Sequence, residues 1–166
     1  PSDGTREYGY ADLYKVIFYT NQTINDGTGT MQAGDVKEQL LGEAHALRAL
    51  AYFDLVNFFA KPYDPATAAT EPGIVIQNEL DLENKRPKST IAQVYAQIHA
   101  DIDAAKSKLK VTTYDAGMNY RFSQLAIYAL EARVNLYQKE YQAALESAEQ
   151  ALKIKNTLQN LNENTD

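Results

Sequence analysis

The sequence predicts an all-α protein of about five helices joined by one long irregular loop. Apolar residues recur at steps of three and four in five separate segments, which is typical of helices with one buried face. Gly and Pro collect between these segments. The one extended run, residues 73–76, is too short to define a sheet. With 166 residues, the chain is long enough to form a single domain with its own core.

The composition narrows the class of partner. Hydrophobic residues make up 45% and charged residues 23%, which is ordinary for a globular protein. The net charge of -6 argues against nucleic acid, because phosphate binding requires a basic face. There is no Cys, so neither a disulfide nor a Cys-based zinc site is predicted. No run of apolar residues reaches the roughly 20 that span a bilayer.

The first helix is predicted to end before a glycine-rich loop. Gly27, Gly29 and Gly34 interrupt the apolar pattern, so we expect a loop over 26–34. The five predicted helices cover approximately residues 10–25, 35–60, 90–109, 121–138 and 141–155.

The second helix has a predicted start, a predicted end and two unusual charges. Asp35 with Glu38 forms a pattern like a capping box, which predicts the start of the helix. Pro62 predicts its end, because a proline disfavours helical backbone at the residue before it. Glu43 and Arg48 lie among apolar residues. A buried Arg needs a carboxylate or several carbonyls around it, so we predict that Arg48 ties this helix to a neighbour.

The connections between the later helices differ in length. Residues 61–88 hold four of the five prolines, and a loop of this length is often functional. Thr90 and Gln93 form a second capping box, which predicts the start of the third helix. The link at Lys139-Glu140 is so short that the last two helices must be antiparallel, and the polar stretch from residue 156 to 166 is predicted to fray.

Residues 125–156 partly match the 34-residue tetratricopeptide pattern. A single helical hairpin of this kind cannot bury its own apolar face, so the helices at 35–60 and 90–109 are expected to stack on it. The predicted fold is therefore a set of tetratricopeptide-like stacked helical hairpins. The matching positions are Tyr128, Ala132, Tyr141, Ala144 and Ala151, and the departures are Asn135, Ala148 and Asn156.

The sequence contains no recognisable catalytic, metal or cofactor site. His45 and His99 are the only histidines, and neither belongs to a zinc motif. Asp101 and Asp103 are two apart on a helix and point in different directions, which favours a solvated face over a carboxylate pair. We therefore predict no catalytic residue, no metal, no cofactor and no enzymatic activity.

The second helix and several later segments resemble the SusD/RagB family. Residues 42–59 are similar to its signature helix, which leads into Pro62-Tyr63, although Ala60 stands where the family usually has Gly. The other similar segments follow in the family's order: Tyr14, Ile17, Asn21 and Ile24; then 73–76, with Val75 in place of Pro; then 86–102; then Arg121, Ala129, Arg133, Leu136, Tyr137, Tyr141 and Ala144.

The resemblance implies a lipid-anchored protein on the outer-membrane surface that captures glycans for a TonB-dependent transporter. In that family the helical repeats form the scaffold and part of the transporter contact. The acylated Cys of the family has no counterpart here, and neither does its long C-terminal region, which holds most of the ligand-contacting loops. The resemblance therefore implies the N-terminal helical part of a longer chain, with the glycan site mostly outside these residues.

The glycan, the residues that contact it and the oligomeric state do not follow from the resemblance. No binding residue can be transferred from the family. Tyr8, Tyr63, Tyr114 and Tyr120 lie near helix ends or in loops and are candidates for sugar contact, although aromatic residues more often cover the core.

Two other functions compete with glycan capture. The chain could be a tetratricopeptide-type protein–protein interaction module with no sugar ligand, gripping a peptide in a concave groove. The long loop at 61–88 favours the SusD-like interpretation, since a plain repeat array lacks such a loop. A hydrolase is disfavoured by the absence of a placed acid–base pair.

Overall fold

The computed structural model describes residues 8–80 and 86–157, and over these ranges it has five α-helices and no strand. The predicted all-α class is confirmed. No helix in the described ranges is long and apolar enough to cross a membrane. The helices are α1 (Tyr8–Gly29), α2 (Asp35–Phe59), α3 (Ile91–Lys108), α4 (Gln124–Tyr137) and α5 (Tyr141–Ile154), with one 3-10 turn at Ala116–Met118.

Helix α2 lies at the centre of the structure. It packs against α1 and α3, while α4 pairs with α5 as a helical hairpin and also contacts α2 and α3. Small residues on α2, including the buried Ala46, Ala49 and Ala51, let its neighbours approach closely. The large core side chains around them are Ile17, Tyr52, Leu55, Ile74, Val94, Tyr95, Ile98, Ile102, Ile127 and Val134.

The first helix runs further than its glycines predict. It continues to Gly29, and the Thr30 N–H still donates to the Asp26 carbonyl at 2.8 Å. Gly27 is buried against the Leu41 side chain of α2. Glycine inside a helix costs only about 1 kcal/mol relative to Ala. Packing against α2 outweighs that cost, so the predicted loop over 26–34 is wrong for its first half.

One predicted N-terminal cap is wrong and the other is confirmed, although α2 begins at residue 35 as predicted. The N-cap of α2 is Gly34, with φ of 144° and no side-chain cap, and Asp35 is the first residue inside the helix. At the start of α3, the Gln93 N–H donates to Thr90 Oγ1 at 3.2 Å and the Thr90 N–H donates to Gln93 Oε1 at 2.9 Å. This reciprocal pair is the predicted capping box.

The long connection after α2 is fastened to the start of α3. The Gly73 N–H donates to the Ser89 carbonyl at 2.8 Å, and the Ser89 N–H donates to the Ile74 carbonyl at 2.9 Å. The predicted extended segment at 73–76 therefore pairs locally with the residues before α3, where the only β-type contact is an isolated bridge between Pro72 and Thr90 in the described part of the chain. Residues 81–85 of this connection and 158–166 of the tail predicted to fray lie outside the described residues.

The hairpin of α4 and α5 includes a polar departure from the repeat pattern. Asn135 is buried and its Nδ2 donates to Ser147 Oγ on α5 at 3.3 Å. Lys139 turns the chain with a positive φ of 65°, and the Glu140 N–H donates back to the Asn135 carbonyl at 2.9 Å. The amide that replaces the usual Tyr thus joins the two helices.

Replacing Gly42 by Ala is expected to destabilise the fold, whereas Gly9→Ala is not. An ideal Cβ at Gly42 would lie 2.9 Å from the backbone nitrogen of Leu109, while one at Gly9 meets nothing within 4 Å. We expect Gly42→Ala to lower the free energy of unfolding by about 1–3 kcal/mol, and Gly9→Ala to raise it by up to about 1 kcal/mol. Urea unfolding measures both, and equal effects would contradict the close α2–α3 approach.

Candidate functional site

A buried ion pair joins the three N-terminal helices. Arg48 of α2 donates from Nη2 to Asp101 Oδ1 at 2.5 Å and from Nε to Asp101 Oδ2 at 2.9 Å, so the pair is bidentate. Its Nη1 donates to Asn21 Oδ1 of α1 at 2.8 Å. The prediction that Arg48 ties α2 to a neighbour is confirmed, and it does so to both α1 and α3.

Asp101 is the centre of this network. It is only 1% exposed, so the expectation that it lies on a solvated face is wrong, whereas Asp103 is exposed. His45 Nδ1 lies 2.8 Å from Asp101 Oδ1, and Gln97 Nε2 donates to Oδ2 at 3.0 Å. Burial alone raises the pKa of Asp101, but hydrogen bonds from His45, Arg48 and Gln97 outweigh it and hold the pKa below its usual range.

The same network holds the long connection in place. Gln97 Oε1 accepts from Asn78 Nδ2 at 2.7 Å, and Asn21 Nδ2 donates to the Gln77 carbonyl at 2.7 Å. The Tyr52 hydroxyl contacts the backbone of Gln77 at 2.8 Å, and burial raises the pKa of Tyr52 to about 12. These polar groups are satisfied within the protein, which fits a structural role.

A second network fixes the connection between α3 and α4. Glu43 accepts from Arg121 Nη2 at 2.7 Å and from Nε at 3.0 Å, and the Tyr114 hydroxyl donates to it at 2.9 Å. The Arg121 guanidinium lies 5.1 Å from the centroid of the Tyr114 ring. Gln39 Oε1 accepts from the N–H groups of Lys110 and Val111 at 2.7 and 2.9 Å.

The four candidate tyrosines do not form one surface. Tyr114 is held by the Glu43 network, and Tyr120, 74% exposed, lies on the same connection beside Arg121. Tyr63 lies elsewhere, half-buried, with its ring centroid 4.9 Å from that of Tyr95. Tyr8 begins α1, but its side chain is outside the described residues.

Both histidines have structural partners. His45 contacts Asp101, as described, and His99 Nε2 lies 2.5 Å from Gln138 Oε1 at the end of α4. Within residues 8–80 and 86–157, no group of three or more His, Asp or Glu side chains could hold a metal ion.

A groove of about 640 Å³ lies between the C-terminal half of α2, the turn after it and the end of α4. Residues three and four apart on a helix share a face, which brings the α2 side chains together and likewise those of α4. Phe58 is 76% exposed there, so of the two adjacent phenylalanines only Phe59 packs against the core. The lining residues are Phe53, Asp54, Asn57, Phe58, Pro62, Tyr63, Arg133, Leu136 and Tyr137.

Two charged side chains of this groove have no hydrogen-bond or ion-pair partner in the described part of the chain. Asp54 is half-buried, and burial raises the pKa of its carboxyl, an effect partly offset by the positive charge of Arg133. Arg133 is exposed on the opposite wall. The amide of Asn57, in contrast, donates to the Phe53 carbonyl at 2.7 Å.

The groove was not predicted from the sequence. Its two walls come from segments far apart in the chain, and only Tyr63 among the candidate tyrosines belongs to it. One feature of the sequence could have indicated the groove, the adjacent pair Phe58-Phe59. Two adjacent residues of a helix cannot both face the core, so one of the two aromatic side chains had to lie at the surface.

Comparison with known proteins identifies the family. A family profile described as starch-binding and associating with the outer membrane matches residues 1–136. The chain belongs to this SusD-like family. A SusD-like protein of Formosa agariphila, P38, is 29% identical over 148 residues, which cover 87% of this chain and 26% of that protein.

Solved SusD-like structures share the fold. A SusD superfamily protein from Bacteroides thetaiotaomicron is 28% identical, with a TM-score of 0.78, and the match covers 96% of this chain and 39% of that one. A laminarin-binding SusD-like protein, 24% identical, has the same fold with a TM-score of 0.74 over 88% of this chain and 30% of its own. The chain thus spans between a quarter and two fifths of the length of these relatives.

Removing the positive charge at position 48 is expected to destabilise the fold strongly. Arg48→Met leaves Asp101 buried without its main partner, and breaking such a pair typically costs about 3–5 kcal/mol. For a domain of this size that lowers Tm by roughly 10 °C in a thermal melt. The matched control is Lys15→Met, which removes an exposed ion pair with Asp12 and should cost less than about 1 kcal/mol.

Asp101 is also expected to make stability depend on pH. Its pKa is depressed in the folded chain, so its contribution is complete above the unfolded value of about 4 and is lost as pH falls through the folded value. Urea unfolding at pH 7 and pH 3 should show the stability gap between wild type and Asp101→Asn shrinking at the lower pH. The control is Asp103→Asn, two residues away and exposed, whose stability should differ little from that of the wild type at either pH.

Proposed function

We propose that the chain is the N-terminal helical part of a longer SusD-like protein that captures oligosaccharides at the outer membrane for a TonB-dependent transporter. The whole protein is lipid-anchored at the cell surface and is not an enzyme. In it, the helices described here form the scaffold and part of the surface that meets the transporter. The single observation that carries this proposal is the family match over residues 1–136.

The structure supports a scaffold role through the polar networks that surround its core. Polar networks centred on Asp101 and Glu43 hold both long connections against α2. The relatives that the chain matches are between two and four times longer, which supports a longer protein here. A glycan ligand is supported by the family, which is described as starch-binding, and by the laminarin-binding SusD-like protein that has the same fold.

A protein-binding module without a sugar ligand is the second candidate, and one observation favours it. Helix α5 carries an exposed apolar stripe of Tyr141, Leu145 and Leu152, which are 65%, 53% and 56% exposed. Such a stripe suits a partner helix or peptide. In the SusD-like proposal, the same stripe is covered by further helices of the longer chain.

The proposed function is tested on the native protein in cells. An antibody to this chain should detect a lipid-modified protein well above 18.5 kDa in the outer-membrane fraction, and added protease should digest it on intact cells. Pull-down of that protein should recover a TonB-dependent transporter, and native gels containing soluble starch or laminarin should retard it. An unanchored protein that recovers no transporter and is not retarded would favour the protein-binding module.

A further inference from the structure

We propose that the groove between α2 and α4 is a binding site for a neutral hexose unit, packed against Phe58 and Tyr137 and hydrogen-bonded to Asp54 and Arg133. This proposal rests on the glycan-binding function proposed above. It adds where on the chain the sugar binds and that the sugar is uncharged. Its volume of about 640 Å³ falls within the roughly 300–1,000 Å³ that is usual for small-ligand sites.

The aromatic walls of the groove suit the flat apolar face of a sugar ring. Phe58 is 76% exposed and Tyr137 is 51% exposed, although large aromatic side chains are usually much more buried. The Tyr137 ring is held in position, because its centroid lies 5.0 Å from that of the buried Phe53 in an edge-on contact. A ring stacked here would remove apolar surface from water without reordering the wall.

The polar groups of the groove suit hydroxyl groups. Asp54 can only accept hydrogen bonds when ionised, and Arg133 can only donate them. Neither has a hydrogen-bond or ion-pair partner among the described residues, and half-burial makes an unpartnered carboxylate costly. Hydrogen bonds to charged groups are roughly twice as strong as those between neutral groups.

The pair of opposite charges selects a neutral ligand. A hexose hydroxyl can donate to Asp54 while a neighbouring oxygen accepts from Arg133, so one ring satisfies both side chains. An acidic sugar would pair with Arg133, but it would bring a second carboxylate close to Asp54 and remove the Arg133 charge that offsets the burial of that carboxyl, which opposes binding. A hexose of a neutral glucan is therefore a better fit than a uronic acid.

Affinity electrophoresis of the 166-residue chain tests the site. Native gels contain laminarin or soluble starch as neutral glucans, or polygalacturonate as the acidic polymer. We expect at least one glucan to retard the chain and polygalacturonate to have no effect. Phe58→Ala and Asp54→Asn should each weaken the apparent Kd about tenfold or more, the size of one lost charged hydrogen bond or buried contact.

Tyr19→Ala is the matched control variant. Tyr19 is an aromatic residue of α1, 64% exposed and outside the groove, so its loss should change the Kd by less than about twofold. Phe58 and Asp54 are not core residues, and far-UV circular dichroism with a thermal melt should show that both groove variants fold as the wild type does.

The other outcomes separate this site from the proposed function. If the groove variants are retarded as strongly as the wild type, the site is overturned and the function stands. The same holds if the full-length native protein is retarded and this chain is not. If neither the chain nor the full-length protein is retarded by either glucan, the site is overturned, and the anchoring and transporter tests decide the proposed function. If polygalacturonate retards the chain as strongly as a glucan does, the ligand is not restricted to neutral sugars and that part of the proposal is overturned. If the chain is a dimer that Phe58→Ala dissociates, a second copy covers the groove and the sugar site is overturned.

Discussion

The ion pair between Arg48 and Asp101 is the interaction on which the rest of the arrangement depends. Removing two charges from water is costly, and only good geometry with further hydrogen bonds offsets that cost. Here the contact is bidentate, and Asn21, His45 and Gln97 complete the shell around it. These hydrogen bonds can form in only one relative arrangement of α1, α2 and α3, because a shift of any of the three helices would leave a buried polar or charged group without its partner.

Helix α2 also organises the two long connections, through polar side chains placed along its length. Gln39 and Glu43 near its start hold the connection between α3 and α4. Arg48 and Tyr52 further along hold the segment around Gln77. Alanines between them keep the neighbouring helices close. One helix therefore provides both the core and the attachment points, which explains how a fold with long irregular connections stays ordered.

The groove lies just beyond these attachment points, where the polar networks end. Its walls belong to α2 and α4, two elements that the core already fixes, so its shape does not depend on a ligand. Charges inside the networks are satisfied, whereas Asp54 and Arg133 have no hydrogen-bond or ion-pair partner in the described ranges. This contrast separates the scaffold of the SusD-like chain from the surface at which we propose that it meets a sugar.

The sequence by itself determined the all-α class, the capping box at Thr90, the need of Arg48 for a partner and the family. Each of these follows from residues close together in the chain, through helical periodicity or a local motif. Tertiary structure decided what depends on distant neighbours. Gly27 stays helical because α2 packs against it, Asp101 is buried because Arg48 and His45 reach it, and the groove exists because α4 returns beside α2. Local periodicity carries no record of which distant side chain completes a site, so only the packed structure could place Asp54 opposite Arg133.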